Sequence, residues 1–206
     1  MLITAYYIIS FIVLIKGIVV LRVKKLSSQD YFLLYLAVNF GVDFFSEINI
    51  IPTRSIQYNY LNLFNSFYFI IFYFRHIKNK KIAAALSTAV LIAILLNTEL
   101  FYTDKYNLNI AITYCVINIL QVLYWCSYKL NNINTSKITD DPIFWISASI
   151  LLWSCFFLFR ITPMYLLNEI DKPFLKLLKQ ILNIINIVCC GLFYIALHKY
   201  NSMDKK

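Results

Sequence analysis

The sequence predicts an all-α protein whose helices form a polytopic bundle in a membrane. Of its 206 residues, 61% are hydrophobic and 14% are charged, whereas a soluble domain averages about half apolar and about a quarter charged. The apolar residues are collected in blocks of about 15 to 21, the length that crosses a hydrocarbon core of about 30 Å as a helix. These blocks lack the two-residue alternation that a membrane β-barrel requires.

Seven such blocks predict seven membrane-spanning helices in a single transmembrane domain, residues 1–206, with no soluble domain. The predicted spans are 2–21, 31–51, 58–74, 82–96, 108–128, 143–166 and 173–197. The fourth is the shortest, at about 15 residues, below the usual minimum of about 17. The sixth is preceded by Asp140, Asp141 and Pro142, a pattern that predicts a capped helix start with proline at the first helical position.

The distribution of basic residues predicts that the N-terminus lies outside and the C-terminus inside. Arg22, Lys24 and Lys25 directly follow the first block and no basic region precedes it, so we expect a retained helix rather than a cleaved signal peptide. Twelve Lys and Arg residues fall in the first, third and fifth connections and the tail, against three in the other connections. Cytoplasmic loops carry such an excess, which indicates a multi-pass protein in this orientation.

The net charge of +9 is accounted for by these loops, so we expect no direct binding of nucleic acid. Basic loops such as RHIKNKK could also attract anionic headgroups or an acidic cytoplasmic protein. The expected partners are therefore the lipid bilayer and a cytoplasmic protein, and the composition is compatible with an oligomer. All five cysteines fall inside apolar blocks, so no disulfide framework is implied.

A polar stripe interrupts the second block at Asn39, Asp43 and Glu47, which are four residues apart and share one helix face. Charged groups cost about 2.5 to 3.5 kcal/mol each inside a membrane and rarely face lipid, so this face is expected to point into the bundle. If the span ends at Pro52, Glu47 lies about 7 Å and Asp43 about 13 Å below the outer boundary.

Three basic residues are predicted to lie in the same outer half of the bundle. Arg160 belongs to the sixth block, and Lys176 and Lys179 belong to the seventh. Arg160 or Lys179 is therefore the expected counter-charge of Asp43. Further polar residues at helical spacing extend this interior, namely Asn62, Asn65 and Ser66 in the third block, Tyr114, Asn118, Gln121 and Trp125 in the fifth, and Asn183, Asn186 and Cys190 in the seventh.

Two interpretations of these polar residues stand side by side. Interhelical hydrogen bonds and buried ion pairs hold helix bundles together without any ligand. Intramembrane charges also mark binding or transport sites, and the local excess of one positive charge would favour an anionic or zwitterionic ligand. Tyr58 and Tyr106, among other aromatic residues, are interpreted as part of the belt at the outer membrane interface.

The sequence predicts no enzymatic activity, no cofactor and no metal site. It has no glycine-rich phosphate loop and no metalloprotease or nucleophile-elbow motif. The two histidines, His76 and His198, lie at the predicted cytoplasmic ends, far from the acidic residues of the outer half. A hydrolase that uses carboxylates alone stays open.

Three stretches resemble a family of small bacterial seven-helix membrane proteins for which no activity is assigned. They are YNYLNLFNSFYFIIFYF in the third block, DPIFWISASILLW at the start of the sixth, and LLKQILNIINIVCCGLFYIAL in the seventh, about a quarter of the chain. This resemblance implies a multi-pass protein of the bacterial inner membrane.

The chain as a whole is also similar to the small membrane accessory proteins encoded beside type VI-B CRISPR nucleases, which modulate RNA-guided interference. This second resemblance implies a regulatory role in antiphage defence, exerted through a partner or the membrane. The sequence therefore leaves two hypotheses of different classes. One is a non-enzymatic accessory protein, and the other is a small-solute or ion transporter, or a ligand-binding seven-helix receptor, that uses the polar interior.

Overall fold

The computed structural model describes residues 2–23, 25–48, 54–77, 80–96, 106–131, 137–167 and 172–202. Within these ranges every regular element is helical, which confirms that the protein is all-α, whereas the seven membrane spans and their orientation stay predictions. The helices are α1 (Leu2–Val23), α2 (Phe32–Glu47), α3 (Arg54–His76), α4 (Lys80–Leu96), α5 (Leu108–Asn131), α6 (Pro142–Leu167) and α7 (Lys172–Ser202). Short 3-10 turns occupy Leu26–Gln29 and Ile138–Asp140. Ile51, the predicted end of the second span, and Pro52 beside it lie outside the described residues.

Four helices are long and apolar enough to cross a membrane, judged by length and composition over the described residues. They are α1, α5, α6 and α7. The helices α2 and α4 have 16 and 17 residues, slightly less than a typical span. The helix α3 has 23 residues, but amide and tyrosine side chains interrupt its apolar sequence. The prediction of a membrane protein is supported by these four helices.

The start of α6 is fixed by the capping residues that the sequence indicates. Asp141 Oδ1 accepts a hydrogen bond of 3.0 Å from the backbone N–H of Ile143. Pro142 occupies the first helical position, where a backbone N–H would have no acceptor within the helix. Asp141 therefore caps the helix, as predicted, and this contact accounts for its position.

Contacts between helices divide the chain into two compact units. The first comprises residues 1–33 and 133–206, and in it α7 contacts both α1 and α6. Ser10 Oγ of α1 lies 3.3 Å from Cys190 Sγ of α7, and Lys16 Nζ lies 5.7 Å from the ring centre of Tyr194. Residue numbers rise together along the two helices, so α1 and α7 are parallel.

The second unit comprises residues 34–132, and in it α3, α4 and α5 contact one another. Its core is aromatic. Phe69, Phe72 and Tyr73 of α3 are at most 1% exposed and pack edge to face or tilted, with ring centres 5.2 to 6.3 Å apart. Trp125 of α5 is 2% exposed. Such rings bury large apolar areas while keeping few rotamers, which gives this unit a rigid centre.

Candidate functional site

The polar face of α2 packs against α3 through three successive pairs of side chains. We call these pairs the α2–α3 seam: Tyr35 with Tyr68, Asn39 with Asn65, and Asp43 with Tyr58. The α2 residues are four apart and therefore share one face of the helix. Numbers rise along α2 while they fall along α3, so the two helices run antiparallel. Asn39 and Asp43 of the predicted stripe thus contact polar side chains of α3.

Asn39 and Asn65 form a reciprocal pair at the centre of this seam. Each amide nitrogen donates to the other residue's amide oxygen at 3.0 Å. Asn39 Nδ2 also donates to the backbone oxygen of Tyr35 at 2.8 Å. The pair uses a donor and an acceptor group of each amide, so each side chain satisfies the other across the contact between the two helices.

Asp43 lies one turn further along the seam and accepts a hydrogen bond of 3.3 Å from the hydroxyl of Tyr58. Its side chain is half-buried, whereas Glu47, on the next turn, is exposed. Tyr58 was assigned to the interfacial belt from its position in the sequence. Its hydroxyl donates to the carboxylate of Asp43, because an aromatic residue near a membrane boundary can point its polar end toward the helices.

The contact between α3 and α5 depends on two further asparagines of α3. Asn59 Oδ1 accepts a hydrogen bond of 2.8 Å from the backbone N–H of Asn107. The side chain of Asn107 in turn caps α5, accepting from Ile110 N at 3.2 Å. Asn62 Nδ2 donates to the hydroxyl of Tyr106 at 3.3 Å. Asn59 and Asn107 were not among the predicted site residues, although Asn59 continues the three-residue spacing of the α3 stripe.

Asn118 and Gln121 of α5 are the most deeply buried of the predicted site residues, at 1% and 2% exposure. They are one turn apart and belong to one face of the helix. Gln121 Oε1 accepts no hydrogen bond from the part of the chain that the structure describes. A buried amide oxygen in this state is costly unless a water or another polar molecule donates to it. Gln121 Oε1 is therefore a described position of the second unit that suits a polar ligand.

In the first unit, α6 and α7 are held together by polar contacts at corresponding levels. Ser149 Oγ donates to the backbone oxygen of Cys189 at 3.3 Å, and Cys189 Sγ donates to that of Ser149 at 3.4 Å. One turn further along α6, Trp153 Nε1 donates to Asn186 Oδ1 at 3.1 Å. Asn186, a predicted site residue, is thus used in helix packing.

The remaining predicted site residues of this unit lie toward the end of α6 and the start of α7. Arg160 and Asn183 are half-buried, whereas Lys176 and Lys179 are exposed. The acidic residues described in this unit lie at the opposite ends of these helices. Asp140 forms a salt bridge of 2.8 Å with Lys199, and Asp30 accepts from the hydroxyl of Tyr200 at 2.8 Å.

The structure therefore brings some of the predicted residues into contact with defined partners. Asn39 and Asp43 contact α3, and Asn186 contacts α6. The pairing of Asp43 with Arg160 or Lys179 would join the two units and stays a prediction. The sequence did not predict the contacts of Asp43 with Tyr58, Asn62 with Tyr106 and Asn59 with Asn107. These contacts use tyrosine hydroxyls and a backbone N–H group, whose partners cannot be recognised from helical spacing.

The α2–α3 seam and the Ser149–Cys189 and Trp153–Asn186 contacts offer amides, hydroxyls, an indole, a thiol and one carboxylate. Over the described ranges, no three His, Cys, Asp or Glu side chains lie close enough together to hold one metal ion. Comparison with protein-family models, curated proteins and solved structures finds no match to this chain. The contacts described above are therefore the basis for proposing a function.

Proposed function

We propose that this chain is a non-enzymatic integral membrane accessory protein that acts through a partner or on the bilayer. The use of intramembrane polar side chains in helix packing is the observation that supports this role. The Asn39–Asn65 pair and the Trp153–Asn186 hydrogen bond both connect neighbouring helices. Hydrogen bonds between membrane helices stabilise bundles by about 0.6 kcal/mol on average. Side chains that pack helices together stabilise the fold. We therefore assign the function to residues on the surface.

A surface feature that suits a partner is the basic segment where α3 ends and α4 begins. Arg75, Lys80 and Lys81 are exposed there. A cluster of this kind next to a membrane attracts acidic protein surfaces and anionic headgroups. The proposal assigns this segment to the cytoplasmic side of the inner membrane, in a seven-span protein whose N-terminus is outside. The excess of Lys and Arg in alternate connections supports that orientation.

The resemblance to accessory proteins of type VI-B CRISPR loci extends the proposal to antiphage defence. The chain would then modulate RNA-guided interference rather than bind nucleic acid itself. Co-expression with a type VI-B nuclease and a matching guide tests this role, with phage plating efficiency as the measurement. We expect plating to change when the chain is present. Equal plating with and without the chain would rule out the defence role.

A matched pair of variants connects that assay to the basic segment. The triple variant Arg75→Gln/Lys80→Gln/Lys81→Gln removes three of the segment's four Lys and Arg charges and leaves Lys78, and we expect it to lose the effect on plating while it accumulates normally in membranes. Lys137→Gln neutralises an exposed lysine outside the segment and should retain the effect. Full activity of the triple variant would show that the segment does not contact the partner.

A transporter or ligand-binding receptor is the second candidate, and one observation favours it. Gln121 Oε1 is buried beside Asn118 and lacks a hydrogen-bond donor among the described residues. Buried amides of this kind bind polar solutes in membrane bundles. Under this alternative Asp43 and Arg160 would line the solute's path, with Asn39, Lys179 and Asn183 nearby.

The two candidates predict different effects of Asp43→Asn and Arg160→Gln. In a transporter, either change should abolish solute flux in proteoliposomes while the protein still inserts and accumulates. An accessory protein should instead lose thermal stability in detergent, with no flux to lose. Gln121→Leu is the companion variant, because it removes the unsatisfied oxygen and should stabilise an accessory protein but inactivate a transporter.

A further inference from the structure

Two buried amide side chains of α5, Asn118 and Gln121, each carry a polar atom that is not hydrogen-bonded within the described residues. Asn118 is 1% exposed and Gln121 is 2% exposed. Over the part of the chain that the structure describes, Asn118 Nδ2 has no acceptor and Gln121 Oε1 has no donor. The two atoms therefore do not bond to each other. An unused donor and an unused acceptor thus lie on one helix, three residues apart.

This spacing brings the two amides close together. Residues three apart on a helix are neighbours, with Cβ atoms about 5 to 6 Å apart. Two successive hydrogen bonds through one water oxygen span about 5.5 Å, because each bond is about 2.7 to 3.0 Å long. One water molecule can therefore join Nδ2 to Oε1 where the amides do not reach each other.

Apolar side chains border the two amides along α5. Ile117 and Val122, next to them in the sequence, are 6% and 1% exposed. The side chain of Tyr114, one turn before Asn118 and 4% exposed, interacts with the Asn118 amide. An amide atom without a partner is costly in such surroundings, and buried water removes this cost by bonding about two to four polar groups.

The combination of a donor and an acceptor favours a neutral ligand. A cation requires acceptors and would be repelled by the amide hydrogens of Asn118, whereas an anion requires donors and would be repelled by the oxygen of Gln121. A neutral molecule with a hydroxyl group can accept from one amide and donate to the other. Because both side chains are at most 2% exposed, water, the smallest such molecule, fits these observations best.

We propose that one water molecule is bound between Asn118 and Gln121 as a permanent part of the second unit. It accepts a hydrogen bond from Asn118 Nδ2 and donates one to Gln121 Oε1, with the side chain of Tyr114 beside the Asn118 amide. The inference goes beyond both proposed functions. A resident water stabilises helix packing in an accessory protein, and in a transporter it is the molecule that a polar solute would displace.

A crystal structure of the full chain grown from lipid, at a resolution that shows ordered water, tests the site directly. We expect one spherical peak of density within hydrogen-bond distance of both Nδ2 and Oε1. Absence of this peak would refute the water site, and so would a direct hydrogen bond between the two amides. Density longer than one water would assign the site to a polar solute and would also overturn the proposal.

Hydroxyl-radical footprinting of the full chain in detergent provides a test in solution, because radicals formed from a bound water modify the side chains beside it. Tyr114 and Tyr68 are a matched pair, at 4% and 9% exposure, so burial alone predicts slightly faster modification of Tyr68. Tyr68 is packed against the rings of Tyr35 and Phe69. We expect Tyr114 to be modified and Tyr68 to be protected. Equal modification of the two tyrosines, or faster modification of Tyr68, would contradict the proposal.

Variants connect this modification to the two amides. Gln121→Met keeps an unbranched side chain but removes the acceptor, and Asn118→Leu removes the donor. Each should lose the modification of Tyr114, while continued protection of Tyr68 shows that the fold is retained. Asn109→Leu, an exposed substitution on the same helix, should be modified like the wild type. Modification of Tyr114 that persists in both amide variants would show that the amides do not hold the water. If either variant misfolds, the crystal structure of the wild type decides.

Discussion

Asn39 and Asn65 exchange two side-chain hydrogen bonds of 3.0 Å across the α2–α3 seam. Removing one amide leaves both polar groups of the other without their partner. We therefore expect Asn39→Leu to lower the free energy of unfolding by about 1 to 3 kcal/mol. Thermal unfolding in detergent, followed by circular dichroism, measures this loss. A chain of this size shifts its Tm by about 2 to 4 °C per kcal/mol.

The double variant Asn39→Leu/Asn65→Leu provides the control for this prediction. It replaces both partners with apolar side chains, so no unpaired amide remains and much of the stability should return. Asn109→Leu, an exposed substitution of the same type on α5, should change the Tm little. A double variant as unstable as the sum of its single changes would show that the pair is not coupled.

The predicted pairing of Asp43 with Arg160 can be measured as a coupling free energy. Asp43→Asn and Arg160→Gln each leave one charge without its partner, and we expect each to destabilise the protein. If the two residues pair, the double neutral variant should recover about 1 kcal/mol or more relative to the sum of the single changes. Purely additive effects would show that Asp43 and Arg160 do not interact. The hydrogen bond from Tyr58 would then be the contact that stabilises Asp43 within its own unit.

The Asp140–Lys199 salt bridge should contribute little to stability. The side chains are 45% and 28% exposed, respectively, and a pair so accessible to solvent contributes about 0.2 to 1 kcal/mol. Lys199→Gln should therefore lower the Tm by a few degrees at most, and by less in high salt. The exchanged variant Asp140→Lys/Lys199→Asp should recover part of the loss. A larger effect that persists in high salt would indicate a different role for Lys199.

Asp30 offers a test of backbone strain at the turn between α1 and α2. It adopts a φ of 51°, in the left-handed region, and accepts a hydrogen bond from Tyr200. Asp30→Ala loses the hydrogen bond and keeps the strain, so it should be less stable than Asp30→Gly by about 1 kcal/mol. Tyr200→Phe removes the hydrogen bond without changing the backbone at Asp30, so it measures how much that hydrogen bond contributes to stability. Equal stability of the Ala and Gly variants would show that the turn relaxes.

The proposed orientation predicts where reporters become active. Alkaline phosphatase, which folds only outside the inner membrane, should be inactive when fused after Ser202, whereas green fluorescent protein fused there should fluoresce. Fusions placed after Lys81 should behave in the same way, because the proposal assigns both positions to the cytoplasm. Fusions placed after Lys105 should give the opposite result. Active phosphatase at the C-terminus would reverse the assignment of sides.

Hydrophobic blocks were sufficient to locate the seven helices, because the length of an apolar run reports directly on the length of a buried helix. Several helices extend beyond the predicted spans where polar residues continue the helix, as at Arg54 in α3 and Tyr200 in α7, whereas α2 ends at Glu47, four residues before its predicted end. Mean apolarity carries no information about such extensions. Capping of α6 by Asp141 could be predicted because its signal is local.

Polar spacing identified the correct faces of α2 and α3, but it did not identify the partners. Asn39, Asn65 and Asp43 were all predicted to lie in a polar interior. The seam shows that Asn39 and Asp43 contact α3, and a polar interior shared by several helices stays a prediction. Their partners depend on the axial register between helices, which no single helix encodes. Tyr58 illustrates the difficulty, because a tyrosine at a membrane boundary has the same sequence environment whether its hydroxyl faces water or a carboxylate.

The two compact units have a consequence for the order in which the chain is assembled. The second unit is continuous, from Leu34 to Asn132, whereas the first combines the two ends of the chain. During translation, α2 to α5 can complete their mutual contacts while the ribosome is still synthesising α6. The contacts of α1 with α7, and the hydrogen bond between Asp30 and Tyr200, can form only after α7 has been synthesised. In a nascent chain arrested before α7, the helix α1 lacks its packing partner. We therefore expect insertion chaperones to bind α1 in such a chain.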